Sequence, residues 1–292
     1  AKGLGEGTVL FEHVLRHRRR LTQQQYRDEM GALFAPFSGV AANNAHAQFP
    51  VARSAVDLAT VSADNYLISD PYTKALVAQD AVNQGAAVVM TSVGTAKRLG
   101  IAPSKWVYLR SHADLDERTV SARIALERSL AQELTLEHVL TTADVDIAQV
   151  AHLDLYSCFP IAVFSACAAL GLDWRDGRAL TLTGGLPFFG GPGNNYSMHA
   201  IAEAVDRVRR DRASLALVVA NGGVICRSPR QQTAIANGDY RRSPFPLSIP
   251  RELGSLESHY ALELLGEDRV AGLEARVVAI NPRDAWRFGY RL

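Results

Sequence analysis

The chain has 292 residues, is 48% hydrophobic and sets 31 Lys+Arg against 30 Asp+Glu, a formal charge of +1. That apolar content supports a sizeable core in one large or two ordinary domains, and the charge balance excludes a one-signed field that would draw in nucleic acid or a membrane surface. Three cysteines make neither a disulfide framework nor a zinc site, and no run of about 18 apolar residues or secretory leader is present, so a cytoplasmic protein without metal is expected.

Residues 1–50 are weakly patterned. Helices are expected over 9–17 and 22–33, separated by Arg18-Arg19-Arg20, which reads as a solvated helix end because no aromatics interleave with it. A polar loop follows at 43–50. Asp70-Pro71 opens a turn into a helix over 75–84, whose apolar positions 75, 76, 78, 81 and 82 suit that period. Gly85 ends it. The continuous apolar run at 86–91 then reads as a strand buried on both faces, and a second helix-to-strand step follows, helical at 96–99 and extended at 106–109. Val120, Ile124, Leu126, Leu130 and Leu134 predict an amphipathic helix over 119–134.

From residue 150 the pattern is sharper. A strand is expected at 150–155, an apolar helix at 159–170 stopped by Gly171, a short strand at 179–182, a helix at 196–210 and a strand at 215–220. Strands alternating with helices imply right-handed crossovers and a layered α/β/α domain. After about residue 228 the character changes: Pro229, Pro244, Pro246 and Pro250 punctuate a polar stretch, followed by antiparallel strands at 260–264, 275–280 and 286–290. The expected organisation is a lead-in over 1–85, an α/β domain over 86–227 and a separate, truncated β segment over 228–292.

Three turns carry the polar chemistry. Tyr156-Ser157-Cys158 follows the first strand of the later region, Gly190-Gly191-Pro192-Gly193-Asn194-Asn195 precedes a helix, and Asn221-Gly222-Gly223 follows the last strand. A glycine-rich turn entering a helix offers backbone N–H groups and the positive end of the helix dipole to an anionic or carbonyl oxygen. The spacing matches neither a dinucleotide fingerprint nor a P-loop. Cys158, between strand and helix, is either a helix-activated nucleophile or a packing thiol. Cys167 and Cys226 read as packing residues, and His152 as a buried, hydrogen-bonded imidazole. His199 either faces the turn pocket or packs, and Asn221 either donates amide contacts to a carbonyl oxygen or serves the turn.

With those residues in hand, the stretch from about 8 to 227 resembles the later part of a thiolase, in the sterol-carrier-protein thiolase and acetyl-CoA acetyltransferase-like branch. The resemblance rests on Val82-Asn83-Gln84-Gly85-Ala86-Ala87-Val88-Val89, on Leu155-Tyr156-Ser157-Cys158-Phe159-Pro160, on the turn from Gly184 to Asn195 and on Asn221-Gly222-Gly223. It implies an acyltransferase of acetyl-CoA acetyltransferase type, with a coenzyme A thioester as substrate and no permanently bound cofactor. It also implies a homo-oligomer or a partner that supplies the first thiolase half, where the family keeps its acyl-accepting cysteine. Tyr156, Cys158, His199 and Asn221 become the candidate catalytic residues; Ser157, Gly190, Gly191, Gly193, Asn194, Asn195, Gly222 and Gly223 become the candidate substrate contacts. The chain departs from the family pattern at Gly191, where its Gly-His-Pro has histidine, at Val219, where its acid/base cysteine belongs, and at Tyr156-Ser157-Cys158-Phe159, where it has Asn-Glu-Ala-Phe or His-Asp-Cys-Phe. Claisen chemistry needs a base beside the thioester and an oxyanion site, so a non-catalytic acyl-CoA-binding or scaffold subunit is the alternative.

The tail from about 228 to 292 resembles sigma-factor regulators of the MucB/RseB type. Arg242-Ser243-Pro244-Phe245-Pro246, the segment from Gly266 to Gly272 and the segment from Pro282 to Leu292 carry the likeness. Joining two such pieces suggests a spliced reading frame with its junction between about 226 and 242. A lipid- or peptide-sensing module is the third reading.

Overall fold

A computed structural model describes residues 5–118, 120–220, 260–270 and 273–282. The chain divides into two units, Ala1–Cys226 and Arg227–Leu292.

The first unit begins with helix α1 (Gly5–Arg18) and helix α2 (Gln23–Ala42). Thr22 sets the start of α2: its hydroxyl accepts the Gln25 N–H while the Gln25 side chain accepts the Thr22 N–H, a reciprocal capping box. The arginine run closes α1 with Arg18 and Arg20 exposed, as expected of a solvated helix end, while two of the three arginines also make ion pairs. Arg18 pairs with Glu127, and Arg19 pairs with Glu29 while lying over the Phe164 ring. Gly31 lets α2 press against α3 (Ala55–Ala59), where a Cβ would run into the Ala55 carbonyl oxygen.

Strands β1 (Leu67–Ser69) and β2 (Tyr72–Thr73) form a short antiparallel pair across a cis Asp70–Pro71 bond. The helix expected over 75–84 is absent beyond a single 3-10 turn at Lys74–Leu76. Tertiary bonds take its backbone instead: Ala78 N–H donates to the Cys158 carbonyl and Gln79 N–H to that of Leu186. The strands expected at 86–91 and 106–109 are not formed either, and Val89 and Met90 are 87% and 76% exposed. Between them lies α4 (Val93–Arg98), capped by Ser92.

The amphipathic helix expected over 119–134 is displaced: α5 spans Leu130–Ala143. Ser129 caps it by accepting the Gln132 N–H, and Glu117 reinforces that start by accepting from the Ser129 hydroxyl and the Ala131 N–H. The apolar stripe is not the buried face. Ile124 is 95% exposed, whereas Ala131, Gln132 and Leu136 face inward.

Strand β3 (His152–Leu155), helix α6 (Pro160–Leu170), helix α7 (Tyr196–Arg210) and strand β4 (Ala216–Val219) follow the sequence reading closely. Proline opens α6 at its first turn, where no N–H is required, and Gly171 closes it in the left-handed region at φ 65°. β3 and β4 pair in parallel, His152 with Ala216 through Leu155 with Val219. The core gathers α2, α6, β3 and the glycine turn around Phe34, Phe37, Val163 and Phe189. Segment 179–182 forms no ladder strand; the Leu155 N–H reaches the Leu180 carbonyl, and the next amides go to a side chain.

The second unit shows an antiparallel hairpin of β5 (Tyr260–Val270) and β6 (Leu273–Pro282), with a register irregularity between Leu264 and Gly266. Both strands run further than the expected 260–264 and 275–280. The strand expected at 286–290 lies outside the described residues, as do Asn221, Gly222, Gly223 and Cys226.

Candidate functional site

Parallel pairing decides where the turns go. Because Leu155 and Val219 are partners, the chain leaves β3 and β4 at the same sheet edge, the carboxyl end where open α/β sheets hold ligands. The glycine turn is brought to that edge by Asp154, a residue the sequence reading passed over. Asp154 is fully buried in β3 and accepts from the Thr181 hydroxyl at 3.0 Å, the N–H groups of Leu182 at 2.8 Å and Thr183 at 3.0 Å, the Thr183 hydroxyl at 3.1 Å and the Tyr196 hydroxyl at 3.2 Å. Burial raises its carboxyl above the ordinary range against the pull of those donors. A carboxylate inside an apolar strand pattern, with Thr181-x-Thr183 ahead of two glycines, was the available signal.

Ser157 ties the first turn to the second. Its hydroxyl is buried and accepts the Leu186 N–H at 3.1 Å, so it serves the fold and is not open to substrate. Cys158 is buried too, and desolvation pushes its thiol well above the ordinary range, outweighing the backbone N–H groups of Phe159 and Cys158 itself that lower it. Of the two readings of Cys158, this placement fits the packing thiol. Cys167 is likewise buried, in α6.

Most amides of the glycine turn are spent internally. Gly184 N–H goes to the Thr181 hydroxyl, Gly185 N–H to that of Thr183, Gly191 N–H to the Gln79 carbonyl at 2.7 Å and Gly193 N–H to the Gly191 carbonyl. Gly191 and Gly193 therefore do not present the free N–H groups expected of a substrate cradle. Gly190 has φ 122°, and a Cβ there would meet the Gln84 side chain, which donates to the carbonyls of Phe189 and His46. Asn195 is engaged as well, its amide accepting the Ala86 N–H at 2.7 Å and donating to the Ala86 carbonyl at 3.2 Å. Asn194 is exposed.

Tyr156 and His199 are joined through a row of rings. Tyr156 meets Tyr196 edge-on at 5.5 Å, Tyr196 meets Phe189 at 6.2 Å, and Phe189 meets His199 at 5.1 Å. His199 thus faces the glycine turn. Desolvation, with His46 nearby, lowers its pKa and keeps the imidazole neutral, and its Nε2 is buried without a hydrogen-bond partner. His152 also has a buried, unpartnered Nε2, which corrects its expected hydrogen bonding.

A second buried carboxyl lies at the start of α6. Glu12 of α1 accepts from the Tyr26 hydroxyl, from the Tyr72 hydroxyl at 2.9 Å and from the Ile161 N–H at 2.9 Å. Burial pushes it up to about 7. The sequence signal was weak, because glutamate in an amphipathic helix ordinarily faces water.

A solved structure from Mycobacterium smegmatis, described as a monomeric SCP2-thiolase-like protein type 1, is similar over 75% of this chain with 50% identity and a TM-score of 0.72. The fold is thiolase-like. The alignment covers 48% of that protein, so the chain spans about half the length of its relative. A family model described as the MucB/RseB N-terminal domain matches residues 213–292. No curated protein matches. That family match takes in β4, which pairs with β3 inside the thiolase-like unit.

Within the thiolase-like fold, the positions that lack the family's histidine and acid/base cysteine are structurally filled. A Cβ at Gly191 would sit 3.2 Å from the Gln79 carbonyl oxygen, and Val219 is buried against the core. Among the described residues, no helix is long and apolar enough to cross a membrane, and no group of three or more His, Cys, Asp or Glu is placed to hold a metal.

Proposed function

We propose that the chain is the later half of a thiolase-type fold that handles acyl-CoA, acting as an acetyl-CoA acetyltransferase-type acyltransferase when a nucleophile-bearing first half completes it. The observation that carries this reading is the shared carboxyl end of the sheet: β3 and β4 pair in parallel, so the Tyr156 turn and the end of β4 leave side by side, in a chain of which 75% aligns at 50% identity with an SCP2-thiolase-like protein. His199, held neutral by desolvation, is the group suited to accept a proton from the carbon beside a thioester, with Tyr156 and Asn221 as polar contacts to the thioester oxygen. Cys158 drops behind them because its thiol is buried. The substrate is a coenzyme A thioester and the compartment the cytoplasm. The relative is described as monomeric, which favours a first-half partner over a homo-oligomer.

A second reading, a non-catalytic acyl-CoA-binding or scaffold subunit, is favoured by Gly191 and Val219 and by the internally spent amides of the glycine turn. One experiment separates them. The chain completed by the unmatched half of the M. smegmatis protein is titrated with acetyl-CoA by calorimetry and assayed for thiolysis, with and without His199→Ala. Binding with a rate that falls about 100-fold in the variant supports the acyltransferase. Binding with no turnover supports the scaffold, and no binding sinks both.

A further inference from the structure

Helix α6 starts without a cap of its own. The residue at its N-cap, Phe159, has no side-chain acceptor, and Pro160 has no N–H, so the Ile161 N–H is left for a partner outside the helix. That partner is Glu12 of α1, 149 positions earlier, whose Oε1 accepts it at 2.9 Å. The same fully buried carboxyl accepts from Tyr26 of α2 and Tyr72 of β2, and the Tyr72 ring lies 5.0 Å from that of Phe159. The turn that carries Tyr156 is therefore fastened at its far end, through Phe159 and Ile161, by a group that belongs to the first helix.

All three contacts donate to Glu12, an arrangement made for a carboxylate, yet among the described residues no cation forms an ion pair with it; Arg19, whose charge reaches it, pairs with Glu29. A protonated Glu12 must instead turn a tyrosine hydroxyl round to accept its proton, and its bond from Ile161 loses the help of the charge. The titratable and charged groups that face it are Tyr26 from α2, Tyr72 from β2, Cys158 ahead of α6 and Arg19 just after α1. Burial keeps both tyrosines and the thiol protonated well above neutrality, which leaves Glu12 as the member of the group that changes state near pH 7. We propose that Glu12 is a positioning residue for the Tyr156–Cys158 turn, fixing it by capping α6 from α1 and resetting it with each gain or loss of a proton. Its bearing on catalysis rests on the acyl-CoA reading above; its bearing on the turn does not.

The test follows backbone amides of the isotope-labelled full chain by NMR from about pH 5 to about pH 9, without acyl-CoA, so the enzymatic reading can fail and leave the result untouched. The Ile161 amide proton is expected to move downfield as Glu12 ionises. The Tyr156 and Cys158 amides should move with the same midpoint, near 7. Glu12→Gln, which keeps an acceptor and loses the titrating proton, should hold all three still, and Tyr72→Phe, which removes a donor to the carboxylate, should raise the shared midpoint. Glu12→Ala should speed amide exchange at 161–163 about tenfold more than in β4, a local loosening beyond any general loss of stability. The wild-type titration decides even where that variant does not fold. An Ile161 amide that titrates while Tyr156 and Cys158 stay still overturns the proposal, as does a range without a transition. So does a transition that persists in Glu12→Gln, which would assign it to His199 acting through the row of rings.

Discussion

Residues 77–128 and residues 150–219 look alike in sequence, both alternating apolar runs with helical stretches, and they fold in opposite ways. In the later region β3 pairs with β4, and Asp154 gathers the amides of Leu182 and Thr183 just ahead of the glycine turn. In the earlier region the apolar runs stay bare, with Val89, Met90 and Ile124 mostly exposed. Local pattern sets what a segment is fit for, and the neighbour decides whether it becomes that.

The largest effect expected is at Asp154. Asp154→Ala strands its buried donors and should cost about 4 kcal/mol, read as a fall in the urea midpoint. A loss near zero would erase the distinction between the regions. Glu12 offers the next test. Its folded pKa of about 7 lies above the ordinary 4.5, so the stability it contributes is complete below 4.5 and is lost as pH rises through 7. The urea midpoint should drop from about pH 5 to about pH 8 by an amount equivalent to about 3 kcal/mol, and Glu12→Gln should flatten that contribution. A midpoint that climbs with pH would contradict it.

Gly184 comes third. Its φ is 109°, and a Cβ would lie 2.5 Å from Ala41 Cβ and 2.6 Å from the Ala41 backbone. Gly184→Ala should therefore lower stability by about 2 kcal/mol or more in a denaturation curve. The smallest change is expected in the bare region, where Val89→Ser and Met90→Ser should shift the isolated chain by no more than about 0.5 kcal/mol. A large loss at either position would mean that the region is packed after all.

The sequence was most readable where burial and local signals agree. Helix α7 was expected over 196–210 and is found there, and α6 ends at the glycine that the pattern marked. It was least readable where distant groups set the outcome. Nothing near residue 78 announces that the Cys158 carbonyl will take its N–H, and the start of α5 depends on Glu117, a dozen residues upstream of Ser129. The candidate site was legible as a set of turns but not as free donors. The Ser157 hydroxyl ties the first turn to the glycine turn, and the N–H groups of Gly191 and Gly193 go to the carbonyls of Gln79 and Gly191.

Native-state hydrogen exchange of the full chain tests this contrast most directly. Amides of β3, α6 and β4 should exchange only through the largest opening of their unit, and those of 87–91 and 107–109 should exchange nearly as fast as unstructured peptide. Equal protection in the two regions would contradict the account.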